Sequence, residues 1–190
     1  MTAPSHPLPT AADIEHAAEA LRPLIHRTPL HRSERLSDLA GAPVWVKRED
    51  LQPVRSYKLR GAQLFLQQLS ATQRDAGVVA ASAGNHAQGV ALACRQLGVD
   101  GRIYVPSSTP RQKRERILAH GGDRVELVLA GDAYDDAAEA AAQDVERTGA
   151  TMVPPFDSPI IMAGQGTVAA EAVEQLRSEQ GHEPGAVVLP

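Results

Sequence analysis

The amino-acid sequence predicts an α/β fold in which a mostly parallel sheet is covered by helices on both faces. Short apolar segments typical of strands alternate with helical segments over most of the chain. Glycines at 98, 121 and 149 follow three of the helical segments, where a left-handed residue commonly ends a helix. Because parallel neighbouring strands need a crossover of about a dozen residues or more, this alternation favours βαβ units.

Three shorter elements are expected before this alternation begins. Residues 14–25 carry apolar side chains at helical spacing, and Pro23 ends the regular pattern. Ser33 can cap a short helix that stops at Gly41. Residues 44–47 then alternate like a strand, and a loop follows.

From Ser56 the apolar spacing is helical, and strands and helices then follow in turn. The expected strands are four short apolar segments, at 78–81, 102–105, 125–129 and 151–153. The expected helices lie near 85–97, 110–120, 133–148 and 165–178, with Asp132 as the cap of the third. The apolar residues 186–190 are expected to form a further buried strand.

The composition favours a globular protein that acts on small molecules. Hydrophobic residues make up 43% of the chain and charged residues 22%, and Cys94 has no second cysteine with which to form a disulfide. A net charge of -4 lacks the basic excess that nucleic acid or an anionic membrane calls for, so neither is an expected partner. The histidines lack metal-ligand spacing, so no metal site is expected. Neither a signal peptide nor a membrane span is recognisable, so a cytoplasmic location is expected.

A candidate anion site follows the strand at 78–81. Residues 82–89, with the sequence SAGNHAQG, lead directly into a helix, whose first N–H groups attract anions. Glycines occur there only at 84 and 89, which matches neither nucleotide-phosphate fingerprint, so a carboxylate is the expected guest. A purely structural interpretation stays open, in which Gly84 makes a tight turn while Ser82 and Asn85 cap the helix.

Lys58 is a candidate for amine chemistry because it lies near the start of a predicted helix. The positive end of the helix dipole disfavours a second positive charge and so lowers the pKa of an amine. A lysine that is readily deprotonated can form a Schiff base. By position alone, Lys58 is better interpreted as a solvated surface lysine, because most lysines near helix starts are of that kind.

Three segments resemble the threonine dehydratases, which are pyridoxal-phosphate (PLP) enzymes of fold type II. The segment KREDLQPVRSYKLRGA at 47–62 is similar to the cofactor-lysine region of that family, and 82–89 is similar to its substrate-carboxylate loop. The segment PFD at 155–157, followed by GQGT at 164–167, keeps the family's order. With TPL at 28–30, the resemblance runs from about residue 12 to the last residue.

The resemblance implies a role for each matching residue. Lys58 is implied to be the catalytic lysine that binds PLP as a Schiff base. Tyr57 is implied to flank the cofactor ring, where many relatives have phenylalanine, and Asn85 to hydrogen-bond the cofactor's phenolic oxygen. The substrate carboxylate is implied to bind the loop formed by Ser82, Ala83, Gly84, Asn85 and His86.

The activity implied is the deamination of L-threonine to 2-oxobutanoate and ammonia in isoleucine biosynthesis. Racemases of this group usually carry a second serine at the position of Ala83, so the resemblance favours elimination over racemisation. The lead-in at 52–55 is similar to the biosynthetic dehydratases, whereas catabolic relatives tend to have Thr-Gly before the serine. A serine/threonine dehydratase with a preference for serine is the alternative within this class.

The resemblance also implies a tryptophan-synthase-β-like fold whose larger domain is incomplete in this chain. Residues 1–55 are expected to begin the large domain, 56–157 to form a small α/β domain, and 158–190 to return to the large domain. Relatives continue into a glycine-rich loop that binds the PLP phosphate, so the chain is expected to be an N-terminal fragment of a homo-oligomeric enzyme. The alternative is a catalytically dead remnant or a small-molecule-binding fragment.

Overall fold

The computed structural model describes residues 6–189, which form two sheets and eight α-helices. The strands are β1 (Leu30–Arg32), β2 (Trp45–Lys47), β3 (Val78–Ala81), β4 (Gly101–Val105), β5 (Val125–Leu129) and β6 (Thr151–Met152). The helices are α1 (Ala11–Leu21), α2 (Glu34–Ala40), α3 (Lys58–Gln67), α4 (Ala71–Ala76), α5 (Asn85–Leu97), α6 (Arg111–Gly121), α7 (Tyr134–Thr148) and α8 (Pro159–Gln180). Short 3-10 turns lie at Glu49–Leu51 and Gly122–Arg124.

The larger sheet has four parallel strands in the order β5-β4-β3-β6. In its register, Val78 of β3 lies opposite Gly101 of β4 on one side and Thr151 of β6 on the other. All four residues of β3 are buried, as expected for a central strand with helices on both faces. The predicted parallel α/β fold is therefore confirmed.

Alternation along the strands sends side chains to two separate apolar layers. Ala80 and Ile103 pack with Val90 of α5 and Ile117 of α6 on one face. The other face carries Val79, Ala81 and Tyr104, which pack against alanines of α7. Cys94 belongs to the first layer, and burial raises the pKa of its thiol to about 12.

The amino-terminal elements form as predicted, with one addition. The side chain of Ser33 caps α2 by accepting a hydrogen bond from the N–H of Leu36, and Gly41 ends that helix with φ at 63°. Strand β2 pairs antiparallel with β1, which the sequence did not predict because a strand of three residues carries little alternation. Helix α1 packs against α8.

Helix α3 lies between α5 and α8, and two glycines allow its close approach to both. A Cβ atom added to Gly89 of α5 would stand 3.2 Å from the Cα of Leu59. A Cβ atom added to Gly164 of α8 would stand 2.7 Å from the Cα of Gly61. The backbone of α3 is thus held by direct contact with its two neighbours, which places the first turn of α3 accurately.

Three sequence-based expectations are wrong in detail. Helix α8 begins at Pro159 rather than near 165, because its internal glycines serve close packing and do not break the helix. Residues 186–189 are an exposed segment and not a buried strand, with Val188 91% exposed; Pro190 lies outside the described residues. Asp132 does not cap α7, because the carboxylate of Asp136 accepts the N–H groups of Asp132 and Ala133 at 2.9 Å.

The division of the chain at 55 and 157 stays a prediction. Helix α3 packs against α5 on one side and α8 on the other, so it contacts both parts of the proposed division. Within residues 6–189, no helix combines the length and apolar character that crossing a membrane requires.

Candidate active site

Lys58 is the first residue of α3, and its side chain is half-buried. Its Nζ atom donates a hydrogen bond to the carbonyl oxygen of Pro155 at 2.8 Å. Its backbone N–H donates to the Oγ atom of Ser56 at 3.2 Å. The ring of Tyr57 lies beside the amine, with its centroid 5.8 Å from Nζ. The amine is therefore held in one place by the backbone of a distant segment.

Burial lowers the pKa of the Lys58 amine below its ordinary value. The helix start predicts the same direction through the dipole, but removal of water from the charged form is the cause that the structure identifies. A lower pKa increases the neutral fraction of the amine near pH 7, and the neutral amine is the form that attacks a carbonyl carbon.

The other lysines of the chain are less suited to this chemistry. The chain has three lysines, Lys47, Lys58 and Lys113. Lys47 is buried in an ion pair with Glu171, with Nζ and Oε1 3.1 Å apart; burial lowers the pKa of Lys47, and the Glu171 carboxylate opposes that shift by stabilising the cation. Lys113 is exposed on α6. Lys47 also lines the cleft, but its amine is engaged by Glu171, Gln175 and the carbonyl of Thr28. Among the described residues, Lys58 is the lysine that reaches the cleft without a carboxylate partner.

The loop at 82–86 presents free N–H groups at the start of α5. Gly84 occupies the N-cap position and makes no side-chain cap, while the Oγ atom of Ser82 accepts the N–H of Gly84 at 3.2 Å. Ser82 and Asn85 do not cap the helix, so the first-turn N–H groups of Asn85, His86 and Ala87 point to the loop without a side-chain acceptor among the described residues. This arrangement suits a carboxylate ligand.

His86 joins this loop to the segment that holds Lys58. Its imidazole is buried, and Nε2 lies 3.0 Å from the carbonyl oxygen of Val153, so Nε2 carries the proton. Burial lowers the pKa of His86 to about 4, against the opposing effect of the Val153 hydrogen bond. The ring is therefore neutral at pH 7 and adds no positive charge beside Lys58.

Sheet topology explains why these groups meet. Strands β3 and β6 are parallel neighbours, so the loop after β3 and the segment after β6 leave the same edge of the sheet. The carbonyls of Val153 and Pro155, in the segment after β6, bind His86 and Lys58 respectively. The sequence did not predict either carbonyl, because every residue has a backbone carbonyl and residue type does not show which one accepts a hydrogen bond.

An open cleft of about 1010 Å³ lies beside Lys58, at the upper end of the range for small-molecule sites. Tyr57 and Lys58 line it together with Phe156 and Gln165. The remaining walls come from α2, β2, the turn after β2, α8 and residues 188–189. Residues 82–86 are not among its lining residues. The structure thus places Tyr57 and Lys58 on the cleft, and joins the predicted carboxylate loop to Lys58 through His86.

Comparison with known proteins agrees with this geometry. The family described as "Pyridoxal-phosphate dependent enzyme" matches residues 21–190. The chain is 58% identical over 181 residues to the L-threonine dehydratase biosynthetic IlvA of Mycobacterium tuberculosis, covering 95% of this chain and 41% of the relative. It is 46% identical to the protein of the same name from Bacillus subtilis, covering 86% of this chain and 39% of the relative. The chain therefore spans about 40% of the length of these curated relatives.

Solved structures support the fold. The threonine deaminase of T.th. superposes with a TM-score of 0.83 at 37% identity, covering 93% of this chain and 55% of that structure. Maize serine racemase superposes with a TM-score of 0.84 at 30% identity, covering 90% of this chain and 51% of that structure. These similarities confirm the predicted fold type II. With the family match over 21–190, they establish that this chain belongs to the family of pyridoxal-phosphate dependent enzymes.

Proposed function

We propose that this chain contributes the lysine-bearing part of an ammonia-lyase that converts L-threonine to 2-oxobutanoate and ammonia in isoleucine biosynthesis. The observation that carries the proposal is the Lys58 amine, held 2.8 Å from the Pro155 carbonyl at the wall of a cleft and lowered in pKa by burial. The names of the relatives at 58% and 46% identity supply the reaction.

The residues present fit PLP. The half-buried amine of Lys58 is a suitable partner for an aldehyde, and the Tyr57 ring beside it offers a flat aromatic surface. Asn85, exposed at the start of α5, is proposed to hydrogen-bond the cofactor's phenolic oxygen. When bound, the cofactor supplies an electron sink for the α-carbon of the amino acid.

The protein's own groups then bind and orient the substrate. The N–H groups at the start of α5 are proposed to hold its carboxylate, and the loop formed by Ser82, Ala83, Gly84, Asn85 and His86 keeps those groups in place. Lys58 is proposed to take the proton from the α-carbon, because a neutral amine is an effective general base near neutral pH. His86 stays neutral and anchors the loop to Val153.

Ala83 supports elimination rather than racemisation. Its half-buried methyl group has no proton to deliver, so no acid is available at the position where racemases of this group carry serine. Threonine is proposed as the main substrate, with serine as the alternative. Assembly into a homo-oligomer belongs to the same proposal.

The test uses the protein expressed from its complete reading frame and supplied with PLP. We expect 2-oxobutanoate from L-threonine at a higher kcat/KM than pyruvate from L-serine. Lys58→Ala should lose turnover by several orders of magnitude, whereas Lys113→Ala, at an exposed lysine, should retain it. Retained turnover in Lys58→Ala would contradict the proposal. Amino-acid binding without any product would favour the alternative of a binding remnant.

A further inference from the structure

A buried group of charges lies behind the first turn of α3. The guanidinium of Arg60 is 1% exposed and donates two hydrogen bonds to the carboxylate of Glu49, at 2.7 and 2.9 Å. It also pairs with Glu171 of α8, with Nη2 and Oε2 2.6 Å apart. Arg60 therefore joins α3 to the turn at Glu49–Leu51 and to α8 at once.

The group continues through one further ion pair and two hydrogen bonds to neighbouring side chains. The second carboxylate oxygen of Glu171 pairs with Lys47 of β2, and the Nη1 atom of Arg60 donates to the Oγ1 atom of Thr167 at 3.1 Å. The hydroxyl of Thr28 donates to Glu49 at 2.6 Å. Two cations and two carboxylates, from four different elements, thus form one connected network.

The charges of this network balance, which allows them to stay ionised without water. Burial alone would raise the pKa of Glu49, but the hydrogen bonds from Arg60 and Thr28 outweigh it and lower that pKa. The pKa of Arg60 is raised by its two carboxylate partners despite burial. Removal of one member leaves an uncompensated buried charge.

The network acts on the same helical turn as Lys58. Residues two apart in an α-helix are rotated by about 200°, so Arg60 and Lys58 leave α3 on nearly opposite sides. Tyr57 occupies the N-cap position of α3 without a side-chain cap, so the only side-chain acceptor found for a first-turn N–H among the described residues is Ser56, at the N–H of Lys58. Arg60 supplies an anchor from the back of the helix.

We infer that Arg60, Glu49 and Glu171 are positioning residues that fix the first turn of α3 and thereby hold the Lys58 amine at the cleft. The inference rests on the proposed role of Lys58. Its test measures the amine itself, in the protein expressed from its complete reading frame, and does not depend on turnover.

The experiment is competitive labelling of lysines with a trace of acetic anhydride over a pH series, in protein freed of PLP so that the Lys58 amine is free to react. Peptide mass spectrometry follows, with Lys113 as the internal reference for reactivity. In Glu171→Gln, we expect the apparent pKa of Lys58 to rise towards the ordinary value of a solvated lysine, because a displaced amine gains water. A roughly threefold smaller neutral fraction near pH 8 is the expected size of the effect. Ile117→Ala, which opens a cavity in the distant core at α6, should lower stability without changing the Lys58 titration.

An unchanged Lys58 titration in a folded Glu171→Gln protein would overturn the inference and leave the network a purely structural role. Should Glu171→Gln fail to fold, Thr167→Val removes one hydrogen bond of Arg60 without a change of charge, and the same comparison applies. Failure of the proposed function is a separate outcome, because it would show as the absence of turnover in the unmodified protein, whatever its labelling.

Discussion

The Nζ atom of Lys58 lies 2.8 Å from the carbonyl oxygen of Pro155, which is far away in the sequence and belongs to the segment after β6. The carbonyl accepts a hydrogen from the amine and leaves the lone pair of the neutral amine available. Since Val153, two residues earlier, binds His86, one short backbone segment sets the positions of both the lysine and the carboxylate loop.

The stability of the chain should depend on pH through His86. Its pKa is lowered from 6.5 to about 4 in the folded chain, so the unfolded chain binds more protons between those values. Stability therefore falls as the pH falls from about 6.5 towards 4, by about 3 kcal/mol in all.

His86→Gln tests this dependence, because its amide can donate to the Val153 carbonyl but does not titrate. The measurement is urea denaturation of the parent and the variant across that pH range. On acidification, the free energy of unfolding of the variant should fall by about 3 kcal/mol less than that of the parent. Parallel curves would show that His86 is not the group responsible.

Removal of one carboxylate from the Arg60 network should cost about 3–5 kcal/mol of folding free energy, because a buried charge loses its partner. Glu49→Gln is the informative change, since Glu49 accepts two hydrogen bonds from Arg60. The exposed pair Arg111–Glu115 on α6 provides the control. Glu115→Gln should cost under about 0.5 kcal/mol by the same denaturation assay. Equal losses in the two variants would argue against a buried network.

Substitution by alanine at the two glycines of α8, Gly164 and Gly166, should change the stability of the protein differently. A Cβ atom at Gly164 would meet the backbone of α3, so the helices must separate, at a cost of about 1–3 kcal/mol. A Cβ atom at Gly166 would meet the side chain of Ile14 and no backbone atom among its nearest neighbours, with the terminal Cδ1 atom 2.9 Å away. Gly166→Ala should thus be neutral or gain up to about 1 kcal/mol from helix propensity. Thermal unfolding of both variants checks this order, and a Gly164→Ala protein as stable as Gly166→Ala would contradict the close packing.

Replacement of Arg55 by glycine should leave the protein more stable than replacement by valine. It adopts φ at 56°, which is unfavourable for a residue with a Cβ atom and most unfavourable for a β-branched one. Arg55→Gly should keep or raise the free energy of unfolding, and Arg55→Val should lower it by about 1–2 kcal/mol. A Val variant as stable as the Gly variant would mean that residue 55 does not hold this conformation in solution.

Much of the fold could be predicted from local patterns. The strands β3 and β5 and the helix α5 have the predicted bounds. Buried strands and helices produce regular patterns of apolar residues, and glycine at a helix end gives its boundary. The start of α8 was missed because glycines at 164 and 166 also serve as breakers in other contexts. The segment 186–189 was mispredicted since apolar composition alone does not supply a neighbouring strand.

The candidate site could be predicted only in part. The motif around Lys58 and the loop at 82–86 identify side chains, and the structure joins them through His86. The role of Arg60 could not be predicted, because a charged residue on a helix is usually exposed and only the three-dimensional fold reveals its burial. The Pro155 carbonyl is equally invisible in the sequence.

The most direct test of the account is borohydride reduction of the PLP-loaded protein, expressed from its complete reading frame, followed by peptide mass spectrometry. We expect a single pyridoxyl adduct on Lys58, and none on Lys47, Lys113 or any other lysine. The Lys58→Ala variant should give no adduct under the same conditions. An adduct on a different lysine, or an undiminished yield in Lys58→Ala, would contradict the account.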